Sequence, residues 1–207
     1  MKRMKMSLLA SFGLAFLFCL ASVSAIQADF IVPVPNGDFS LPSIAPDPYR
    51  FTVPTDWSYS GSGAIGVEQG GSGQCLFLAS GNGTLQNDIG ANVHALGDIY
   101  TLTFDGASLN PNGLGSWTAN LLVDGNVVAS STIAFNGYND FAQYSVVWTA
   151  NTAGALGVEF VGVGTGSTQL ALDNVGLSYN SVPEPSTMAL LMTGLVGLLA
   201  NAWRKRK

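Results

Sequence analysis

The apolar positions of the chain fall into three regimes. Leu8 to Leu20 is a nearly unbroken apolar run behind a basic tip of Lys2, Arg3 and Lys5. Thr187 to Trp203 is a second run, free of charge and closed by Arg204-Lys205-Arg206-Lys207. Between them the pattern alternates with period two, as in Tyr100/Leu102/Phe104 and Tyr144/Val146/Trp148, which predicts strands with one buried face. Leu156/Val158/Phe160 begins another. Further strands are expected at Phe30–Val34, Trp57–Ser60, Ala64–Glu68, Cys75–Ala79 and Thr84–Ile89. Turn dipeptides at Asn36-Gly37, Asn82-Gly83, Asn112-Gly113, Asp124-Gly125 and Asn136-Gly137 divide these runs. The clearest hairpin joins Trp117–Val123 to Val127–Ile133 through Asp124-Gly125-Asn126, whose residues tolerate positive φ.

The last alternating segment changes phase. Leu170 and Leu172 share one face, whereas Val175, Leu177 and Tyr179 are displaced by one residue. A one-residue slip exchanges core and solvent faces, so an extra residue must be absorbed near Asp173-Asn174, as in a β-bulge.

Composition agrees with strands. Residues 26–182 hold 22 glycines, no Lys and only two Glu, Glu68 and Glu159, while Val, Thr, Phe and Tyr abound. Around ten short strands without a helix signal indicate an all-β, antiparallel two-sheet β-sandwich over residues 26–181. Charge narrows the function classes. The same segment carries Arg50 as its one base against twelve acids, a net charge of −11. Such an excess repels phosphate backbones and argues against nucleic acid as a partner. No P-loop, GxGxxG or CxxC is present, which removes nucleotide enzymes and zinc modules.

Residues 1–25 read as a secretory signal peptide: basic tip, apolar core, then Val23-Ser24-Ala25. Cleavage is expected after Ala25, with Ala28 second, and Cys19 leaves with the leader. The chain ends in three parts: Val182-Pro183-Glu184-Pro185-Ser186, a helix over 187–203 expected to cross the membrane, and a basic stop at 204–207. The basic cluster stays cytoplasmic, giving an N-out, C-in orientation. This arrangement over residues 182–207 resembles the PEP-CTERM sorting signal of Gram-negative bacteria that make exopolysaccharide. The resemblance implies recognition at Pro183-Glu184-Pro185 by a membrane-embedded exosortase, transient membrane anchoring, and release or transfer of the body to the cell surface or extracellular matrix.

The body resembles the galactose-binding-like jelly roll used by many carbohydrate-binding modules. Asn36-Gly37-Asp38-Phe39, Trp57 and Leu172-Asp173-Asn174-Val175 carry the resemblance. It implies a structural calcium shared by the first and last strands, with Asp38 and Asp173 as oxygen ligands. Ser40 stands where that family places an acid, a departure at the metal.

Catalytic chemistry finds little support. His94, the chain's one histidine, lacks a nucleophile elbow and reads as a surface loop residue. Cys75, alone in the mature chain, reads as a strand residue. Asp88, Asp98, Asp105, Asp124 and Asp140 sit at turns, and Glu68 and Glu159 have no partner identifiable from sequence. Trp57 and Trp148 are expected in the core, and Trp117 and Tyr138, beside Gly/Asn-rich loops, are the aromatics expected to stack on sugar rings. The expectation is an exported, non-enzymatic protein with a structural or adhesive role. A carbohydrate-binding module that holds a specific extracellular polysaccharide is the alternative, and a secreted glycoside hydrolase stands third.

Overall fold

The computed structural model describes residues 29–70, 73–111, 114–181 and 185–205. Residues 1–28, which include the leader, and Gly71-Ser72, Asn112-Gly113, Val182–Glu184 and Arg206-Lys207 lie outside the described residues. Asp29–Val182 is one compact unit. Its described strands are β1 (Asp29–Val32), β2 (Tyr49–Arg50), β3 (Ser58–Gly61), β4 (Ala64–Gly70) and β5 (Gly73–Asn92). They continue with β6 (Ile99–Ser108), β7 (Leu114–Val123), β8 (Asn126–Asn136), β9 (Asn139–Thr149) and β10 (Ala155–Asn180). The pairings among them are antiparallel.

Two layers result, and two strands belong to both. Layer one has the order β3–β5–β10–β7–β8 and uses residues 81–92 of β5 and 155–165 of β10. Layer two has the order β2–β4–β5–β10–β6–β9 and uses residues 73–79 and 169–180 of the same two strands. β1 pairs with residues 177–180 of β10. Strands that turn a corner in this way join the sheets of a sandwich edge to edge.

The corner corrects one expectation. Asn82-Gly83 is not a turn that ends a strand: β5 runs through it. Gly81 bends the strand at φ 89°, and Gly83 packs so closely on the Tyr59 ring that a Cβ there would overlap it. The carbonyl of Asn82 accepts the N–H groups of Ser62 and Gly63 at 2.9 and 3.0 Å. The Tyr59 hydroxyl donates to the Gly63 carbonyl at 2.6 Å. β10 bends opposite, where its register against β5 shifts between Gly164 and Gln169.

Elsewhere local chemistry behaves as the sequence pattern predicts. Asp124 and Gly125, at φ 49° and 74°, close the β7–β8 hairpin, with Asn126 already paired to Val123. The phase change in β10 is a register shift between Asp173 and Gly176, with Asn174 at φ 50°. The bulge docks on the opening motif: Val175 N–H donates to the Gly37 carbonyl at 2.8 Å, and a Cβ on Gly37 would collide with the Val175 carbonyl. Asn36 organises the same corner, its amide donating to the carbonyls of Leu41 and Thr55 while its own carbonyl accepts the Trp57 indole N–H.

The core lies between the layers. Leu76, Leu78, Leu102, Phe104, Leu170 and Leu172 face Leu85, Trp117, Ala119, Leu121, Val158 and Phe160. Phe160 contacts Phe104, Trp57 and Trp117 at ring-centroid distances of 5.1, 6.2 and 6.4 Å. Trp57 and Trp148 are buried, as expected.

Pro185–Arg204 forms a separate helix, α1, of 20 residues, which at 1.5 Å per residue is about 30 Å long. Among the described residues no helix is both long and apolar enough to cross a membrane. The helix expected at 187–203 is therefore present, while its expected membrane span does not follow from the structure. Thr187, Thr193 and Asn201 interrupt the apolar run.

Gly162 tests the packing. A Cβ at this position would overlap Leu78 and the Trp117 ring. Gly162→Ala is expected to lower unfolding free energy by about 1–3 kcal/mol through overpacking, measured by urea denaturation of residues 26–182. An unchanged midpoint would contradict this packing.

Candidate functional site

Because side chains alternate along strands, the residues between the layer-two core positions point outward. Strand pairing aligns them in two rows. The first runs Tyr49–Glu68–Cys75 across β2, β4 and β5, and continues Asp173–Asp105–Gln143 across β10, β6 and β9. The second runs through Gly66, Phe77, Ala171 and Ala107. Cys75, Ala107 and Ala171 are buried and pack with Leu109 in a small cluster apart from the main core. Larger side chains stand around these small ones. Glu68 accepts a hydrogen bond from the Gln169 amide at 2.9 Å, and the Cys75 thiol points to its other oxygen at 3.9 Å. At the β2 edge Tyr49 and Phe51 are 57% and 60% exposed, and Phe51 meets Phe77 edge-on at 5.5 Å. Phe141 is exposed on β9.

Three carboxylates gather where β10 bulges. Asp173, 8% exposed, accepts the Asn174 backbone N–H at 2.7 Å, and the Asn174 amide donates to Asp105 at 2.8 Å. Burial pushes the Asp173 carboxyl up to about 6, the neighbouring charges of Asp105 and Asp38 adding to the rise and the Asn174 N–H opposing it. Asp38 in turn accepts the Ser40 N–H at 3.2 Å. The structure thus brings together the two proposed calcium ligands and adds Asp105, which sequence reasoning placed only at a turn. Among the described residues, no group of three or more His, Cys, Asp or Glu is arranged to hold a metal ion. Each of Asp38 and Asp173 spends one oxygen on a backbone N–H, so the pair alone makes a sparse cation site.

The two aromatics expected to meet sugar separate sharply. Trp117 is 1% exposed, and its indole N–H donates to the Ala171 carbonyl at 3.1 Å, tying layer one to layer two. It is a core residue and offers no ring face to a ligand, which corrects the sequence-based expectation. It follows Gly115-Ser116 in sequence, but its strand parity points it inward. Tyr138 is 57% exposed in the β8–β9 connection and donates to Asp140 at 3.0 Å. Tyr49 and Phe51 escaped the sequence reading because β2 is two residues long and carries no alternation.

The remaining reactive groups are engaged structurally. His94 Nδ1 lies 2.8 Å from the buried Asp98 carboxylate, and the His94 ring stacks on Tyr179 at 5.0 Å. Its backbone N–H donates to the Tyr100 hydroxyl at 2.7 Å. Burial, then the nearby charges of Glu68 and Asp173, push the Cys75 thiol up to about 12, so it stays protonated at neutral pH. Glu159, on the outer face of layer one, accepts the Asn120 amide at 2.7 Å.

At the other end of the described chain, α1 follows Pro185 and closes on Arg204 and Lys205. Residues 181–207 match the PEP-CTERM protein-sorting motif. A PEP-CTERM tail marks a protein for export and membrane-anchored sorting in Gram-negative bacteria. Its Val182, Pro183 and Glu184 lie outside the described residues, as do Arg206 and Lys207. The body ahead of this PEP-CTERM tail is similar to TmCBM61, solved in complex with β-1,4-galactotriose. The TM-score is 0.50 at 12% identity, over 69% of this chain and 94% of that one. A CBM4 structure is similar at a TM-score of 0.45 and 16% identity, over 59% of this chain and 93% of that one. The K3 cleaved adhesin domain of Lys-gingipain from Porphyromonas gingivalis gives 0.48 and 16%, over 73% and 99%. The likeness to TmCBM61 shows a shared β-sandwich fold. No curated protein matches the sequence.

The acid cluster gives a signed pH dependence. Asp173 holds its proton more tightly in the fold than in the unfolded chain, so stability falls as pH rises from about 4 to about 6 and stays lower above it. Asp173→Asn removes the charge and keeps an oxygen for the Asn174 N–H. At pH 7.5 the variant is expected to be more stable by about 1–2 kcal/mol after solvent screening, with a flatter profile between pH 4 and 6. Melting curves of residues 26–182 across that range check this, and a parallel offset at every pH would refute it.

Proposed function

We propose that the chain is an exported, non-catalytic glycan-binding protein whose PEP-CTERM tail delivers it to the cell surface or exopolysaccharide matrix, where it acts as an adhesive or structural component. An exosortase is the processing partner, and α1 serves as the transient membrane anchor before cleavage. The observation that carries the binding reading is the pair of exposed rings, Tyr49 and Phe51, beside Glu68 and Gln169 at the β2 side of layer two. Aromatic faces take the C–H faces of pyranoses, and carboxylate and amide oxygens accept sugar hydroxyls, the mixture typical of small-molecule sites. The non-catalytic reading is supported by a protonated Cys75 thiol and by His94 being engaged with Asp98 and Tyr179.

Calcium at Asp38 and Asp173 belongs to the same proposal as a structural ion. It reads out in the melting series above: chelation lowers the wild-type midpoint and leaves Asp173→Asn unmoved, whereas identical curves with and without chelator remove the metal.

Tyr49→Ala and Phe51→Ala, both on exposed side chains, are each expected to weaken glycan-array signal about five- to thirtyfold, about 1–2 kcal/mol of stacking, with melting unchanged. Array profiles identical to wild type would rule out this face. Sorting is tested in the cell. Glu184→Ala, or deletion of Arg204–Lys207, is expected to trap or mislocalise the full chain without unfolding its body. Undiminished surface delivery of both variants would overturn the sorting assignment.

A further inference from the structure

The ionisable groups on the outer face of layer two are Glu68, Asp105 and Asp173, with Asp38 at the bulge and Tyr49 at the edge. The acids already accept from neutral or backbone donors: Gln169 and the Cys75 thiol on Glu68, the Asn174 amide on Asp105, the Asn174 N–H on Asp173. Arg50, the one base between residues 26 and 182, lies beside Asp47 at 3.1 Å. With no cation bound, the condition that EDTA sets in the test below, the face therefore offers acceptors in abundance and no counter-charge for an anion. Asp173 already feels Asp105 and Asp38 as repulsive neighbours. A uronate or sulfate group would bring another negative charge into the same field, which at low salt extends on the order of 10 Å or more.

Resting on the glycan reading above, we infer that the ligand of this face is an uncharged polysaccharide. Its hydroxyls donate to the accessible members of the polar row, Glu68, Asp105 and Gln143, and its ring faces lie on Tyr49 and Phe51. Charge complementarity selects the class: a neutral hydroxyl gains a charge-assisted hydrogen bond from each carboxylate, whereas an acidic sugar gains repulsion. The polar row runs across the strands, so the chain is bound across β4, β5, β10 and β6 rather than along one of them.

The body has its own core and is tested as residues 26–182 by native affinity electrophoresis in EDTA. The gels contain hydroxyethylcellulose, β-1,4-galactan or xyloglucan as neutral polymers, and polygalacturonate or alginate as acidic ones, at low salt and at roughly 0.15 M salt. The expected result is retardation by at least one neutral polymer, unchanged within about twofold between the two salts and abolished in Tyr49→Ala, with none by either polyuronate. Retardation by a polyuronate at low salt overturns the inference while leaving glycan binding intact. Retardation by no polymer, together with a blank array, overturns the glycan reading and this inference with it.

Discussion

β5 and β10 must leave one layer and enter the other without stranding their backbone hydrogen-bonding groups, and the rest of the body is arranged around that demand. Buried N–H and C=O groups without partners are costly, so each bend has to be paired as it turns. Gly81 and Gly83 let β5 bend while the Ser62, Gly63 and Tyr59 groups hold its corner. β10 absorbs its own bend between Gly164 and Gln169. Across the gap, the Trp117 indole reaches the Ala171 carbonyl, so one buried hydrogen bond sets how closely layer one meets layer two just beyond the corner.

That constraint also shapes the outer surface. Ala171, whose carbonyl Trp117 holds, and its neighbours Cys75 and Ala107 are small, buried residues at the centre of layer two. The large and polar side chains are displaced to the surround: Glu68, Gln169, Asp105 and Asp173, with Tyr49 and Phe51 at the β2 edge. The same layer holds a thiol that burial keeps protonated near neutrality.

Much of this was legible in the sequence where one physical signal acts alone. The Asp124-Gly125 hairpin follows from positive φ, the bulge at Asp173-Asn174 from a phase change, and the tail from proline, apolar run and basic stop in order. Reading failed where two demands compete. Asn82-Gly83 carries a turn signature, but its glycine is required for contact with Tyr59 inside a continuous strand. Trp117 sits near a loop in sequence, yet strand parity decides that it faces the core. Tyr49 lies on a strand too short to alternate and Phe51 just beyond it, and the meeting of Asp105 with Asp173 depends on a pairing between residues 68 apart in the chain. Long-range register of this kind has no local signature.

The body and the tail differ in charge: an acidic, strand-built unit and a basic-ended sorting segment. Which face of the sandwich meets ligand is the central claim. The direct measurement is amide chemical-shift mapping of residues 26–182 titrated with a neutral oligosaccharide that binds. The account predicts the largest shifts at Tyr49, Phe51, Glu68, Gln169 and Asp105. Shifts confined to Ser58, Gln86, Asn120 and Glu159, on the outer face of layer one, would contradict it.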